Sequence, residues 1–311
     1  MTMVRCAVAG ISSYHVNLIK NILRSLNNVK LIKTDWLFRH VDILYCIFGL
    51  PPSLLANPLF WMRDKPLLII HWIGSDVLYL VSPSSMKTKI YRQLVKLATK
   101  LKKRIINLAG SPWLVDELKT QGIRAIYLPL STLNIERMKP PNIDVSDKDI
   151  DVLSYVPKRR FTFYGGHHIL KLARNFPEYT FVVVMPDVRD DHRLPRSPFK
   201  NLVFMSKRSF EEMQALYLRA KCFLRLTKHD GLSLSILEAL YYKLTVVWTY
   251  RFPYAIHVNY NDVEKLKTLL PELIDNYSPN EEGHQFVVTH FSQDALRKRL
   301  QKLLEGILRL A

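Results

Sequence analysis

The chain has 311 residues, a length that usually divides into two domains. Apolar residues make up 48% of it and charged residues 23%, which excludes a disordered chain and fits an ordinary globular protein. The net charge of +18 is concentrated: residues 1–140 hold 20 Lys/Arg against 7 Asp/Glu, the remainder 25 against 20. Such a field favours an acidic partner, whether an anionic membrane surface, nucleic acid or a phosphorylated substrate.

Taken in chain order, Val4 to Gly10 is a compact apolar run ending in glycine, and Tyr14 to Leu26 has helical spacing through Val16, Ile19, Ile22 and Leu23. Further strands are expected at Asn28 to Thr34, Asp42 to Phe48 and Pro66 to Trp72. A helix follows over Met86 to Arg104, with apolar positions at Ile90, Leu94, Leu97 and Leu101, and then a strand at Ile105 to Leu108. Ser111 is placed to cap a helix with Pro112 at its first position; that helix stops at Gly122 before a strand at Ala125 to Leu128. Pro140, Pro141 and Asn142 lie in a stretch without periodicity, which reads as a linker over 136–150.

The alternation then restarts. Strands are expected at Asp151 to Val156, Tyr179 to Met185, Leu202 to Met205, Cys222 to Leu226 and Thr245 to Trp248, with helices at His168 to Asn175 and Ser209 to Ala220. Ser292 to Leu310 is amphipathic through Leu296, Leu300, Leu303, Leu304 and Ile307. Strands alternating with helices on both sides of one linker predict an α/β chain of two Rossmann-like, doubly wound domains. The domains expected are 1–135 and 151–291, with a final helix over 292–311 crossing back to the first. Ligands of such sheets sit beyond the carboxyl ends of the strands, here in the cleft between the domains.

Cys6, Cys46 and Cys222 lie far apart inside apolar stretches and form no CxxC pair, which argues against a disulfide framework and a structural zinc site. His167-His168 has no third ligand nearby, so no metal is expected, and no cofactor. The start MTMVRCAVAG lacks a leader's apolar core, and Val41 to Trp61 is interrupted by Asp42, Pro51, Pro52 and Pro58. A cytoplasmic protein is the expectation, peripheral on the inner face of the membrane. The helix over 86–104 supports the second part, because it carries eight Lys/Arg and no acid occurs between Val77 and Val115.

The chemistry is concentrated in His229 to Val247. Asp230 precedes Gly231 on a loop that leads into a helix, so the amides of Gly231, Leu232, Ser233 and Leu234 offer an anion site, and Glu238 lies two turns along. A carboxylate there accepts hydrogen bonds from paired sugar hydroxyls. This stretch, from Asp230-Gly231-Leu232-Ser233 through Glu238-Ala239-Leu240 to Leu244-Thr245-Val246-Val247, resembles the donor signature of retaining GT-B glycosyltransferases of family 4. Asp230 stands where that family usually has Glu, and Ser233 where it has a second glycine.

The resemblance implies an acceptor domain over 1–135 and a nucleotide-sugar donor domain over 151–291, in which Glu238 binds ribose hydroxyls, Asp230 contacts the sugar, and Leu232 to Leu234 offer amides to the diphosphate. Ile70 to Asp76 is similar to the family's histidine loop, which implies that His71 faces the donor sugar and supports the transition state. Ser111 to Pro129 is similar to its last unit before the linker, and Asn201 to Ala220 to its base-binding segment, which places Ser206, Lys207 and Arg208 at the base. Lys158, Arg159 and Arg160, followed by Gly165, keep the family's cations without their register; Lys158 and Arg160 are expected to clamp the diphosphate, with Gly165 allowing its close approach. Gly10, Ser12, Ser13 and His15 are the expected acceptor contacts.

The function implied is metal-independent retaining transfer from a UDP-, GDP- or ADP-sugar to a lipid-linked or glycan acceptor. The rival is a non-catalytic basic α/β protein on nucleic acid or an anionic membrane; no nucleic-acid motif is legible, and nucleic acid is not an expected partner.

Overall fold

The computed structural model describes residues 3–10, 12–33, 40–57, 61, 66–101, 104–138 and 148–309, the last three by backbone alone. Ile11 of the expected acceptor loop, Thr34, Lys102, Lys103, most of the expected linker (139–147), the side chain of Ile307 and Leu310 lie outside the described residues.

Two compact units emerge. The first comprises residues 1–131, 229–232 and 294–311, the second 132–228 and 233–293. In the first, β1 (Val4–Gly10), β2 (Val29–Leu31), β3 (Ile43–Ile47), β4 (Leu67–Trp72), β5 (Ile105–Ala109) and β6 (Ile126–Tyr127) form one sheet in the order β2-β1-β3-β4-β5-β6. Every neighbouring pair is parallel. β3 and β4 are buried on both faces, as their unbroken apolar runs require.

On one face, α1 (Ser13–Arg24) packs Leu18, Ile19, Ile22 and Leu23 against Cys6, Tyr45 and Ile69. The last helix, α11 (Gln293–Arg309), adds Leu296, Leu300 and Leu304 to the same cluster. The other face is covered by α2 (Pro52–Leu55), α3 (Ser75–Val81), α4 (Met86–Leu101) and α5 (Pro112–Thr120). Within α4 the inward residues are Val95 and Ala98, while Ile90, Leu94, Leu97 and Leu101 are exposed. The sequence had marked the latter set as the helix's apolar positions; the residues that fill the core are one step round the helix.

The second unit repeats the architecture with β7 (Ile150–Tyr155), β8 (Phe181–Val184), β9 (Leu202–Met205), β10 (Ala220–Arg225), β11 (Thr245–Trp248) and β12 (Ala255–His257), ordered β12-β11-β10-β7-β8-β9. All pairs are again parallel. Its helices are α6 (Gly166–Asn175), α7 (Phe210–Arg219), α8 (Leu234–Tyr241), α9 (Val263–Asp275) and α10 (Glu281–Phe291). Ser209 and Glu212 close α7 with a reciprocal capping box. The Leu133 N–H donates to Phe291 O at 2.7 Å and the Gln293 N–H to Leu133 O at 3.1 Å, pairing the two segments that leave this unit. The three cysteines are buried thiols in no disulfide, and burial pushes each up to about 12.

Candidate functional site

The second sheet reverses its strand order between β7 and β10, and a crevice at the carboxyl ends of such a pair is where doubly wound sheets take ligands. The chain turns out of β7 through a single 3₁₀ turn, Lys158 to Arg160. Asp187, just past β8, accepts from the Lys158 N–H at 2.7 Å and the Arg159 N–H at 2.9 Å. Desolvation raises the Asp187 carboxyl, and those two amides outweigh it and hold it below the usual range. All three cationic side chains are exposed. Lys158 Nζ reaches Arg193 O at 2.6 Å, and the Arg160 guanidinium lies 5.5 Å from the Phe163 ring centre.

Gly165 adopts φ +69°, and a Cβ there would meet Leu226 O at 2.4 Å; at Gly166 it would meet the Phe161 ring at 2.4 Å. Gly165 therefore lets this loop lie directly on the chain leaving β10, and Gly166 lets α6 start against the Phe161 ring. The need for Gly165 comes from packing within the unit, where the sequence reading assigned it to close approach of a ligand. His167 and His168, expected in a loop, begin α6 with their ring centres 3.7 Å apart.

Glu238 projects from the second turn of α8 and is partly buried. Its carboxyl is raised to about 7 by desolvation, against which the Tyr217 hydroxyl, donating to Oε2 at 3.0 Å, pulls it down. Tyr217 is itself fully buried and stacked on Tyr242, with ring centres 5.6 Å apart and planes 9° from parallel. Ser233 is the N-cap residue of α8, and its Oγ lies 2.9 Å from Ser235 Oγ. Leu234 is the helix's first residue.

Arg225, the last residue of β10, was missed by the sequence reading. It is only 9% exposed, and its guanidinium lies 5.2 Å from the Tyr164 ring centre. It also shares a field with Glu238: burial raises Tyr155, the Glu238 carboxylate adds to that, and Arg225 opposes it. The available signal was a cation closing the otherwise apolar strand Cys-Phe-Leu-Arg, one strand before the acidic loop.

The expected base loop is well held. The Ser206 N–H donates to Asp191 Oδ1 at 3.2 Å, Arg208 pairs with the same carboxylate at 3.2 Å, and the Lys207 N–H donates to Val188 O at 2.7 Å. Hydrogen bonds from Ser206 and the charge of Arg208 hold Asp191 below its ordinary range.

The remaining candidates belong to the first unit. His71 is fully buried on β4; Tyr45 Oη lies 2.8 Å from Nδ1 and Leu128 O 2.8 Å from Nε2. The carbonyl can only accept, so Nε2 carries the proton and the Tyr45 hydroxyl donates to Nδ1. Burial lowers the ring to about 4. The expectation that His71 faces the sugar is therefore corrected: both nitrogens are engaged and the ring is a neutral strut. The neighbouring Asp76, 1% exposed, accepts from the amides of Ile73, Gly74 and Val77, which folds the loop that starts α3.

The segment from His229 to Leu232 packs on that same loop. A Cβ at Gly231 would fall 1.9 Å from Ile73 O, so only glycine fits. The space expected for a diphosphate above Gly231 is thus filled by backbone. Trp113 Nε1 donates to Asp230 O at 2.8 Å, Ser131 Oγ to Leu232 O at 2.5 Å, and His229 Nε2 lies 2.9 Å from Glu117 Oε2. In the expected acceptor loop, Ser12 Oγ caps α1, accepting from the His15 N–H at 3.5 Å, and Ser13 is its first residue. A Cβ at Gly10 would stand 3.0 Å from Ile47.

No protein-family model matches the chain, and no curated protein does. Solved structures do. Sucrose-phosphate synthase from Thermosynechococcus elongatus is similar at TM-score 0.73 and 11% identity, over 99% of this chain and 100% of that one. A glycosyltransferase from Rickettsia africae is similar at TM-score 0.71 and 12% identity, over the whole of both chains. A UDP-GlcNAc 2-epimerase from Neisseria meningitidis, bound to UDP-GlcNAc, is similar at 0.56 and 12%, over 98% of this chain and 100% of that one. At these identities the likeness establishes the fold, which is the two-domain Rossmann-like GT-B arrangement that the donor signature implied.

Proposed function

We propose that the chain is a family 4-like retaining glycosyltransferase, metal-independent, whose second unit holds a nucleoside-diphosphate sugar. The observation that carries this is the grouping of Glu238, Tyr217, Arg225 and Tyr164 about the switch point of the second sheet. A carboxylate suits paired ribose hydroxyls, and Ser206 to Arg208 suit the base. Lys158 and Arg160, with Arg225, supply the positive charge that a departing diphosphate needs. In such a transfer the leaving phosphate takes the acceptor's proton while the sugar becomes oxocarbenium-like, so no histidine base is required. Arg159, Gly165 and the amides of Ser233 and Leu234 are the remaining proposed donor contacts of this unit. Gly10, Ser12, Ser13 and His15 remain the proposed acceptor edge.

Incubation with UDP-, GDP- and ADP-sugars, read by thermal shift and then by product analysis, tests the proposal. Transfer with retained anomeric configuration supports it. Interconversion of free UDP-sugars supports epimerase chemistry on the same fold instead, and a folded sample silent to every nucleotide refutes both.

The proposed setting is cytoplasmic, on the inner membrane face, with a lipid-linked or glycan acceptor. What supports it is the outer face of α4, where Met86, Ile90, Leu94, Leu97 and Leu101 are 40–69% exposed in one stripe flanked by Lys87, Lys89, Lys96 and Lys100. Apolar side chains rimmed by cations suit an anionic bilayer surface. No described helix is long and apolar enough to cross a membrane. Flotation with anionic but not neutral vesicles, lost in Leu94→Glu/Leu97→Glu, is the expected result.

A further inference from the structure

The first sheet has its own switch point, between β1 and β3, because strand order runs from β1 to β2 on one side and from β1 to β3 and onward on the other. A cavity of about 570 Å³ lies there. Its inner wall is Ala9 and Gly10 at the end of β1, Cys46 and Ile47 at the end of β3, and Leu50 and Leu54 beyond it. The volume falls in the range of small-molecule sites, and the position is where a doubly wound sheet takes a ligand.

Two further observations say what kind. Phe48, partly exposed on the cavity wall, holds φ +74°, and Gly49 follows at +70°. A left-handed conformation is unfavourable for a bulky aromatic residue, and such strain concentrates at ligand sites. At the other side stand Lys87 and Thr88, in the first turn of α4; the Thr88 N–H is capped by Ser85 Oγ at 3.2 Å, so the group there that favours an anion is the exposed Lys87 ammonium. The carboxylate on the wall, Asp76, spends its oxygens on the amides of Ile73, Gly74 and Val77. The cavity is therefore apolar within and cationic at one side.

We infer that this cavity binds a single-chain amphiphile, its hydrocarbon chain between the ends of β1 and β3 and its phosphate at Lys87. That the amphiphile is the sugar acceptor rests on the glycosyltransferase proposal; its binding does not.

The test is calorimetric titration of the full chain, without nucleotide, with n-alkyl phosphates and neutral n-alkyl glucosides of increasing length below their micelle concentrations. Each added methylene is expected to tighten binding roughly four-fold until the cavity is filled. Ser53→Trp, at an exposed position on the rim, is expected to weaken every long chain at least ten-fold; Lys87→Ala is expected to weaken the phosphates and spare the glucosides. Affinity independent of chain length overturns the inference. So does binding that survives Ser53→Trp but disappears in Leu94→Ser/Leu97→Ser, which would place the chains on the outside of α4. Thermal shift with nucleotide sugars on the same samples reports separately on the second unit, so the two proposals fail independently.

Discussion

Tyr217→Phe isolates one hydroxyl. The ring, fully buried and stacked on Tyr242, is retained, and only the 3.0 Å hydrogen bond to Glu238 Oε2 is lost. That bond is what lowers a carboxyl that desolvation has raised to about 7. A hydrogen bond to a charged group is worth about 1.5–3 kcal/mol, so its removal should raise the carboxyl by roughly 1 to 2 pH units. If the ionised carboxylate takes the ribose hydroxyls, nucleotide affinity in the native protein climbs as pH rises through about 7 and levels off above it.

In Tyr217→Phe the same curve moves to roughly pH 8–9. Stability changes with the opposite sign. A carboxyl raised in the folded state leaves stability intact below its ordinary value near 4.5 and costs about 3 kcal/mol by the time pH passes 7. In the variant that decline continues further into alkali. Calorimetric titration with the responding nucleotide from pH 5.5 to 9, beside urea melts over the same range, measures both. Superimposable affinity curves from two folded proteins would refute the assignment of Glu238.

Arg225→Met keeps the length of the side chain and removes its charge; nucleotide affinity is expected to fall ten- to a hundred-fold with a change in melting temperature of a few degrees, whereas an equal loss in both would mean a structural cation. Gly165→Ala combines a left-handed backbone with a Cβ 2.4 Å from Leu226 O, and should cost about 2–3 kcal/mol in chemical denaturation. Burial lowers His71 to about 4, so the unfolded chain takes up its proton first and stability falls as pH drops from about 6.5 towards 4. His71→Gln, whose amide can serve both partners, should recover roughly 1.4 kcal/mol of that loss at pH 5.5, read from acid unfolding curves; no recovery would mean that the ring titrates normally.

The sheets were legible because nearly every strand is a short apolar run between breakers, and parallel sheets demand such runs. Residues 249–291 went unread for a local reason: β12 has three residues, and Pro271 interrupts the pattern of α9. α3 was hidden because its start depends on Asp76 turning back onto Ile73 and Gly74, a contact with no periodic signature. In the site, Glu238 was proposed from the likeness of its stretch to a donor signature and not from its spacing to Asp230, while Arg225 was masked by the apolar run that it interrupts. His71 was misjudged because the fate of its nitrogens is decided by Tyr45 and Leu128, residues 26 and 57 positions away. Gly231 was read for a ligand because a sequence does not show that Ile73 O stands over it.

The place of α11 bears on how the polypeptide is made. Leu296, Leu300 and Leu304 complete a core whose other members all precede residue 131. A ribosome adding roughly 5–20 residues each second needs on the order of ten to forty seconds to travel from there to α11. For that interval the β1–α1 face stands uncovered, and the earliest part of the protein to emerge is among the last to finish folding. Cutting the gene after the first sheet would strand it in that state, so a separately expressed amino-terminal half should need α11 grafted on to stay in solution.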